Sequence, residues 1–272
     1  MDTSQIRPPV KWHGGKHYLA KRIIEQFPPH KTYVEPFGGA ASVLLNKPPS
    51  SVEVYNDLDH RITRLFRVIR DHGAELHRRL SLTPYSEAEF VESANPVEDE
   101  IEQARRDFVR WRQSIGGRGD GFSLTLHRVR REMADVVSGY LSAIDTELPK
   151  IIERLSTVQI LCRPALSVIE KYDSPETLFY LDPPYLPETR AGGGTARYEV
   201  EMTKEDHVKL AYAVRKCQGK VILSGYPSEL YGELYGDWRI LSFDIANHAA
   251  TGEVKKRMTE CLWLNWQEGS IG

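Results

Sequence analysis

Hydrophobic positions along the chain follow two rhythms. Short β-rich runs bounded by turn residues recur toward both ends: Thr32-Tyr33-Val34, Val52-Glu53-Val54-Tyr55, Val158-Gln159-Ile160-Leu161, Leu178-Phe179-Tyr180-Leu181, Val221-Ile222-Leu223 and Cys261-Leu262-Trp263-Leu264. Runs of branched and aromatic residues of this length predict strands. Between several of them, as over residues 18–27 and 204–217, apolar positions recur at helical spacing. Strands alternating with helices predict a mostly parallel sheet covered on both faces, an α/β, doubly wound fold.

From about residue 58 to residue 155 the rhythm stops. This stretch has helical spacing and strong charge, and is interrupted by Gly116-Gly117-Arg118-Gly119-Asp120-Gly121. It reads as an insertion whose flanks rejoin one sheet. The expected organisation is a discontinuous sheet domain, residues 1–58 and 156–272, and a helical domain over residues 59–155.

Composition narrows the classes. With 272 residues, 40% hydrophobic and 27% charged, the chain suits one large α/β domain with a smaller insertion. No apolar run approaches the roughly 20 residues that span a bilayer, so no membrane partner is expected. Residues 1–9 lack the apolar core of a secretory signal, which points to the cytoplasm. Cys162, Cys217 and Cys261 are widely spaced and odd in number, and the nine histidines form no pair at ligand spacing; neither disulfides nor a metal are expected. The net charge of −2 means that any nucleic-acid contact must come from a local patch. Arg105, Arg106, Arg110, Arg112, Arg118, Arg128, Arg130 and Arg131 stand against only Asp107 and Asp120, and residues 87–102 before them carry acids without a single Lys or Arg. On charge alone this alternation describes two solvated helix faces.

The candidate chemistry lies at strand ends. Asp182-Pro183-Pro184-Tyr185 follows the apolar run ending at Leu181, the end of a strand at which open α/β sheets bind ligands. Consecutive prolines stiffen the loop and leave carbonyl oxygens without matching donors. Asp182 and the Pro183 carbonyl form an acceptor pair suited to the two hydrogens of an exocyclic amine, and Tyr185 offers a face on which a base can stack. Glu35-Pro36-Phe37-Gly38-Gly39-Ala40-Ala41 follows the first strand and leads into Ser42-Val43-Leu44-Leu45, a stretch able to open a helix. Its small residues allow close approach of a ligand. Asn56-Asp57 ends the second strand about twenty positions on, where nucleoside-binding α/β folds place an acid on a ribose. The turn lacks the G-x-G-x-x-G of dinucleotide enzymes, which disfavours a dehydrogenase. Lys11-Trp12-His13-Gly14-Gly15-Lys16 has neither the hydroxyl after its lysine nor the upstream glycine of a nucleotide triphosphatase loop.

In this order, Lys11-Trp12-x-Gly14-Gly15-Lys16, Glu35-Pro36-Phe37 with its small residues, Asn56-Asp57 and Asp182-Pro183-Pro184-Tyr185 resemble the Dam-type, or D12-class, adenine-specific DNA methyltransferases. A cofactor turn first, an insertion next and Asp-Pro-Pro-Tyr last is the arrangement of their alpha group. The resemblance implies a seven-stranded methyltransferase sheet with an inserted helical target-recognition domain. It implies S-adenosylmethionine as cofactor, held by Trp12, Lys16, Glu35, Phe37, Gly39, Asp57 and Asp182. Asp182, Pro183 and Tyr185 would act on an adenine flipped out of double-stranded DNA, whose backbone would meet Arg110, Arg112, Arg118, Lys255, Lys256 and Arg257. The Gly192-Gly193-Gly194 loop within residues 188–197 would move on DNA binding. A monomer on DNA, with room for a partner restriction endonuclease, belongs to the same picture. Ala41 departs from the family's Phe-x-Gly-x-Gly, with altered cofactor packing as the expected consequence. The competing readings are methylation of cytosine N4, protein glutamine or RNA, and a DNA-binding module without catalysis; the intact Asp182 and Tyr185 disfavour the latter.

Overall fold

A computed structural model describes residues 5–12, 14–189, 201–246 and 257–267. In chain order its helices are α1 (Ala20–Ile24), α2 (His60–Ser81), α3 (Glu87–Glu92), α4 (Glu100–Gln113), α5 (Asp135–Ser142), α6 (Leu148–Leu155), α7 (Ala165–Tyr172), α8 (Lys204–Val214) and α9 (Glu229–Tyr235). Its strands are β1 (Thr32–Glu35), β2 (Val52–Asn56), β3 (Val129–Arg130), β4 (Met133–Ala134), β5 (Gln159–Leu161), β6 (Thr177–Leu181), β7 (Lys220–Gly225), β8 (Arg239–Ala246) and β9 (Arg257–Leu264). The main sheet has seven strands, six of them in the order β2-β1-β6-β7-β9-β8, with β5 as the seventh. No helix among the described residues is long and apolar enough to cross a membrane.

Packing divides the chain into two compact units. One comprises Met1–Gln26, Gly39–Pro49 and Asp59–Cys162; the other comprises Phe27–Gly38, Ser50–Leu58 and Arg163–Gly272. In the first unit α2 is the central helix. Asp59 caps it by accepting from the Arg61 amide, and Ile62, Leu65, Phe66, Ile69, Leu76 and Leu80 form the buried stripe expected at helical spacing. A Cβ at Gly73 would lie 2.7 Å from Ile152 of α6, so glycine sets how closely these two helices approach. The segment before α1 joins this unit through polar anchors. Arg112 of α4 donates to the carbonyls of Pro8 and Pro9, and Asn46 exchanges hydrogen bonds with the backbone of Ile6.

In the second unit β1, β2, β6 and β7 are parallel, while β9 runs antiparallel to both β7 and β8. Every residue of β6 is buried, as a parallel strand covered on both faces requires. After β1 the chain crosses to β2 on one side; after β6 it crosses to β7 on the other. Strand order therefore reverses between β1 and β6, and the crevice at their carboxyl ends is where such sheets bind ligands.

The six strands read from the sequence are present. β8 is an additional strand, with exposure that alternates along the edge of the sheet. The helical period over residues 18–27 condenses to α1 alone. Ser42-Val43-Leu44-Leu45 forms hydrogen-bonded turns, with the Leu45 amide on the Ala41 carbonyl and the Lys47 amide on that of Val43, and Pro48-Pro49 halts any helix there. The helical stretch also carries the β3–β4 hairpin, whose turn residues Arg131 and Glu132 have φ of 53° and 61°. Cys162, Cys217 and Cys261 are free thiols.

Ala41 is buried with φ of 56°, a left-handed conformation that costs a residue with a side chain roughly 1–2 kcal/mol. Glycine there escapes the strain but gains freedom in the unfolded chain. Ala41→Gly should thus stabilise the protein by about 0.5–1 kcal/mol, seen as a higher urea midpoint at unchanged slope. A lower midpoint would mean that the Ala41 methyl packing outweighs the backbone strain.

Candidate active site

Three neighbouring strands deliver the candidate residues of the second unit. β2, β1 and β6 end respectively in Asn56-Asp57, Glu35-Pro36-Phe37-Gly38 and Asp182-Pro183-Pro184-Tyr185, and Val34 lies in register with both Val54 and Phe179. The β1 turn is fixed from inside the fold. The buried Asn56 side chain donates to the Pro36 carbonyl at 2.8 Å and the Arg163 carbonyl at 3.0 Å, and accepts from the Arg163 amide at 2.9 Å. Its own carbonyl accepts from the Gly38 amide at 2.8 Å. Gly38 is obligatory, because a Cβ would lie 2.2 Å from the Tyr55 ring. Glu35 is buried and accepts from the Tyr33 hydroxyl at 2.6 Å. Burial, reinforced by the Glu35 charge, pushes that hydroxyl well above its ordinary pKa. Phe37 and Asp57 are half-buried beside it.

At the end of β6, Asp182 is half-buried and Pro183 buried. Tyr185 is only 5% exposed. Its hydroxyl donates to Glu260 on β9, and its ring meets that of Tyr226 edge-on at 4.8 Å between centroids. Burial, with the nearby charges of Asp182 and Glu260, holds the hydroxyl well above its ordinary pKa, as a neutral donor. Tyr185 is thus an anchored ring with little of its surface open. Tyr226, Thr259, Glu188, Thr189 and Ser228 line a cavity of about 690 Å³.

The first unit holds Trp12, Lys16 and Gly39. Trp12 packs edge-on against Trp111 at 5.7 Å, over which Arg61 lies at 5.8 Å. A Cβ on Gly39, whose φ is +47°, would come within 2.7 Å of the indole nitrogen of Trp12. Those two sequence-identified residues are therefore packed together. Lys16 is buried and donates to the Gly14 carbonyl at 2.8 Å.

The basic stretch splits into two kinds of arginine. Arg105 and Arg106 are ion-paired with Glu89, Glu92 and Glu102, so the acidic run neutralises its basic neighbour across α3 and α4. Arg112 turns inward to Pro8 and Pro9, and burial lowers its pKa to about 10; the sequence had placed it among the phosphate contacts. Arg110 lies 4.9 Å over Phe90. Arg118, Arg130 and Arg131 are exposed, and Arg128, also exposed, pairs with Asp135. Beside them Leu124, Leu126 and Val129 are 72%, 86% and 71% exposed, an apolar tip that the sequence reading did not single out. Arg257 opens β9, whereas Lys255, Lys256 and the Gly192-Gly193-Gly194 loop lie outside the described residues. Glu260 and Tyr226 also escaped the sequence reading. The available signal was a lone carboxylate at the head of the apolar run Cys261-Leu262-Trp263-Leu264.

A family model for D12 class N6 adenine-specific DNA methyltransferases matches residues 12–250. The chain is 25% identical to the type II methyltransferase M.MjaIII of Methanocaldococcus jannaschii, covering 94% of each protein. Against the type II methyltransferase M1.LlaDCHI of Lactococcus lactis it is 23% identical over 96% of each. Against the DNA adenine methylase of Escherichia coli K12 it is 24% identical over 94% of each. With the motifs, the strand order and the family match all in agreement, this chain belongs to the D12 class of N6 adenine-specific DNA methyltransferases.

Proposed function

We propose that the chain transfers the methyl group of S-adenosylmethionine to N6 of an adenine flipped out of double-stranded DNA, with Asp182 and the Pro183 carbonyl as acceptors of the amine. The observation that carries this is the position of Asp182-Pro183 at the end of the buried β6, beside the reversal of strand order at β1.

The second unit's residues fit the cofactor. Carboxylates Asp57 and Asp182 end the strands on either side of the β1 turn and suit ribose hydroxyls and an ammonium group. Half-buried Phe37 offers an apolar face, and the turn is held open by glycine. Glu35, and Trp12, Lys16 and Gly39 in the first unit, complete the set we assign to it. When bound, this cofactor supplies a methyl group on a sulfonium, an electrophile. Asp182 and Pro183 do the rest by geometry. Adenine's amine is a poor nucleophile because its lone pair is delocalised into the ring. Two hydrogen bonds from it favour a tetrahedral nitrogen and stabilise the charge that grows there. Flipping costs roughly a few kcal/mol; stacking against an aromatic ring, worth about 1–3 kcal/mol per base, offsets much of this.

Residues 59–155 serve in this reading as the target-recognition insertion. Exposed Arg118, Arg130 and Arg131 reach phosphates, Arg110 on α4 serves in the same role, Arg257 keeps its proposed backbone role, and Leu124, Leu126 and Val129 form an apolar tip suited to a groove. Lys255 and Lys256 keep their proposed backbone role; Arg112 is assigned to fixing residues 8 and 9. The type II names of two relatives support a partner restriction endonuclease. We also propose a monomer on DNA, in the cytoplasm.

Asp182→Ala is expected to abolish single-turnover methyl transfer while leaving the fold intact. Residual transfer within about tenfold of the parent, a barrier change of only roughly 1.4 kcal/mol, removes Asp182 from the chemistry. Asp57→Ala should weaken cofactor binding in calorimetry without altering DNA affinity; unchanged cofactor affinity takes Asp57 out of the site. Neutralising Arg118, Arg130 or Arg131 singly should lower the salt slope of DNA binding by about one unit each. Arg112→Ala should instead lower thermal stability with that slope unchanged. Equal slopes across all four variants would place the DNA face elsewhere.

A further inference from the structure

We propose that Glu260 is a positioning residue for the target base, holding the Tyr185 ring in place by accepting its hydroxyl. The inference rests on the reading above, in which Tyr185 receives the flipped adenine.

Three observations carry it. Glu260 is fully buried on β9 yet heads a run of buried apolar residues, Cys261 to Leu264. A carboxylate in a sheet interior is weak evidence for stability, since a well-packed apolar residue usually serves as well or better; its presence calls for a task. Next, the strand registers bring it to the right edge. Leu181 pairs with Leu223 and Gly225 with Cys261, so Glu260 sits two strands from Asp182 at the same end of the sheet. Finally, the Tyr185 hydroxyl donates to it, while Tyr226 packs against the ring at 4.8 Å between centroids. A phenol ring on a loop has two soft torsions. A hydrogen bond at its far end and a ring contact at its side leave little freedom in either. The hydroxyl stays protonated far above neutrality, so it remains a donor. The ring plane is thereby set from β9, 75 residues away along the chain, and the flipped base meets a surface already oriented beside Asp182.

The test compares Glu260→Gln, Tyr185→Phe, Glu260→Leu and Tyr185→Phe/Glu260→Leu in methyl transfer to adenine-containing DNA, with thermal unfolding and S-adenosylmethionine calorimetry on the same preparations. The double variant removes both ends of a buried polar pair, a change that is often neutral or stabilising. It is expected to unfold at or above the parent's temperature, bind the cofactor within about twofold, and turn over on the order of tenfold or more slowly. Glu260→Gln keeps an oxygen acceptor and should stay within about threefold. Tyr185→Phe should be as slow as the double variant, because both break the same bond. A double variant within threefold of the parent, or losses that multiply instead of coinciding, overturns the proposal. So does a cofactor affinity that falls in step with the rate. Should the double variant fail to fold, Glu260→Gln and Tyr185→Phe decide: equal rates overturn the proposal, and a tenfold gap upholds it. A parent chain that transfers no methyl group to adenine overturns the functional reading itself, and this inference with it.

Discussion

β6 is buried along its whole length between β1 and β7, and two prolines follow one residue beyond its end. Burial on both faces demands a continuous apolar run, and the parallel ladder demands a donor at each residue; Pro183 and Pro184 can supply none. The ladder cannot run past Asp182, and β6 stops at Leu181. Asp182 is consequently the first residue free of the ladder, and it emerges at the point where strand order reverses. Removing that strict end would let Asp182 slide into the sheet, and its carboxylate would leave the crevice.

Around this point the molecule spends polar groups in its interior to fix backbone. Asn56 joins the β1 turn to the chain near Arg163, Glu35 receives the Tyr33 hydroxyl, and Glu260 receives that of Tyr185. Each of these groups is costly to bury without partners, and each is bonded. Their placement is uneven: all three lie at the edge of the sheet where the parallel strands have their carboxyl ends, the end where such sheets bind ligands. The opposite needs of a rigid loop and a sparse, open crevice are met by tying the loops from beneath.

Much of this was legible in the chain because periodicity and local chemistry report on nearest neighbours. Strands such as Leu178-Phe179-Tyr180-Leu181 announce themselves through branched and aromatic runs, and Asp-Pro-Pro-Tyr is informative because it follows one directly. What the sequence hid depends on distant partners. Tyr185 looks like an open stacking face until Glu260 and Tyr226 are brought against it by two strand pairings. Arg112 looks like its neighbour Arg110, and only the carbonyls of Pro8 and Pro9, a hundred positions away, turn it inward. The β3–β4 hairpin was invisible for another reason: strands of two residues are too short to show a period of two. β8 has the alternation of an edge strand, yet Arg239, Ser242 and Asp244 dilute the apolar signal.

The same distinction governs charge. Residues 87–131 look like an acidic run beside a basic one, and the helices α3 and α4 cancel much of that contrast by pairing Arg105 and Arg106 with Glu89, Glu92 and Glu102. Cancellation is local, so it concentrates what remains. Between α4 and β4 the exposed arginines are Arg118 on the glycine-rich loop and Arg128, Arg130 and Arg131 at the hairpin, next to exposed Leu124, Leu126 and Val129. A chain of net charge −2 repels a polyanion at long range, and its approach to DNA depends on such a patch within about a Debye length, near 8 Å at physiological salt. The hairpin keeps Arg131 and Glu132 in left-handed backbone without glycine. That is a strained turn, but its handedness matches the twist of paired strands. Relaxing it would splay the two short strands and scatter the exposed cations around them, so the backbone strain and the charge arrangement stand or fall together.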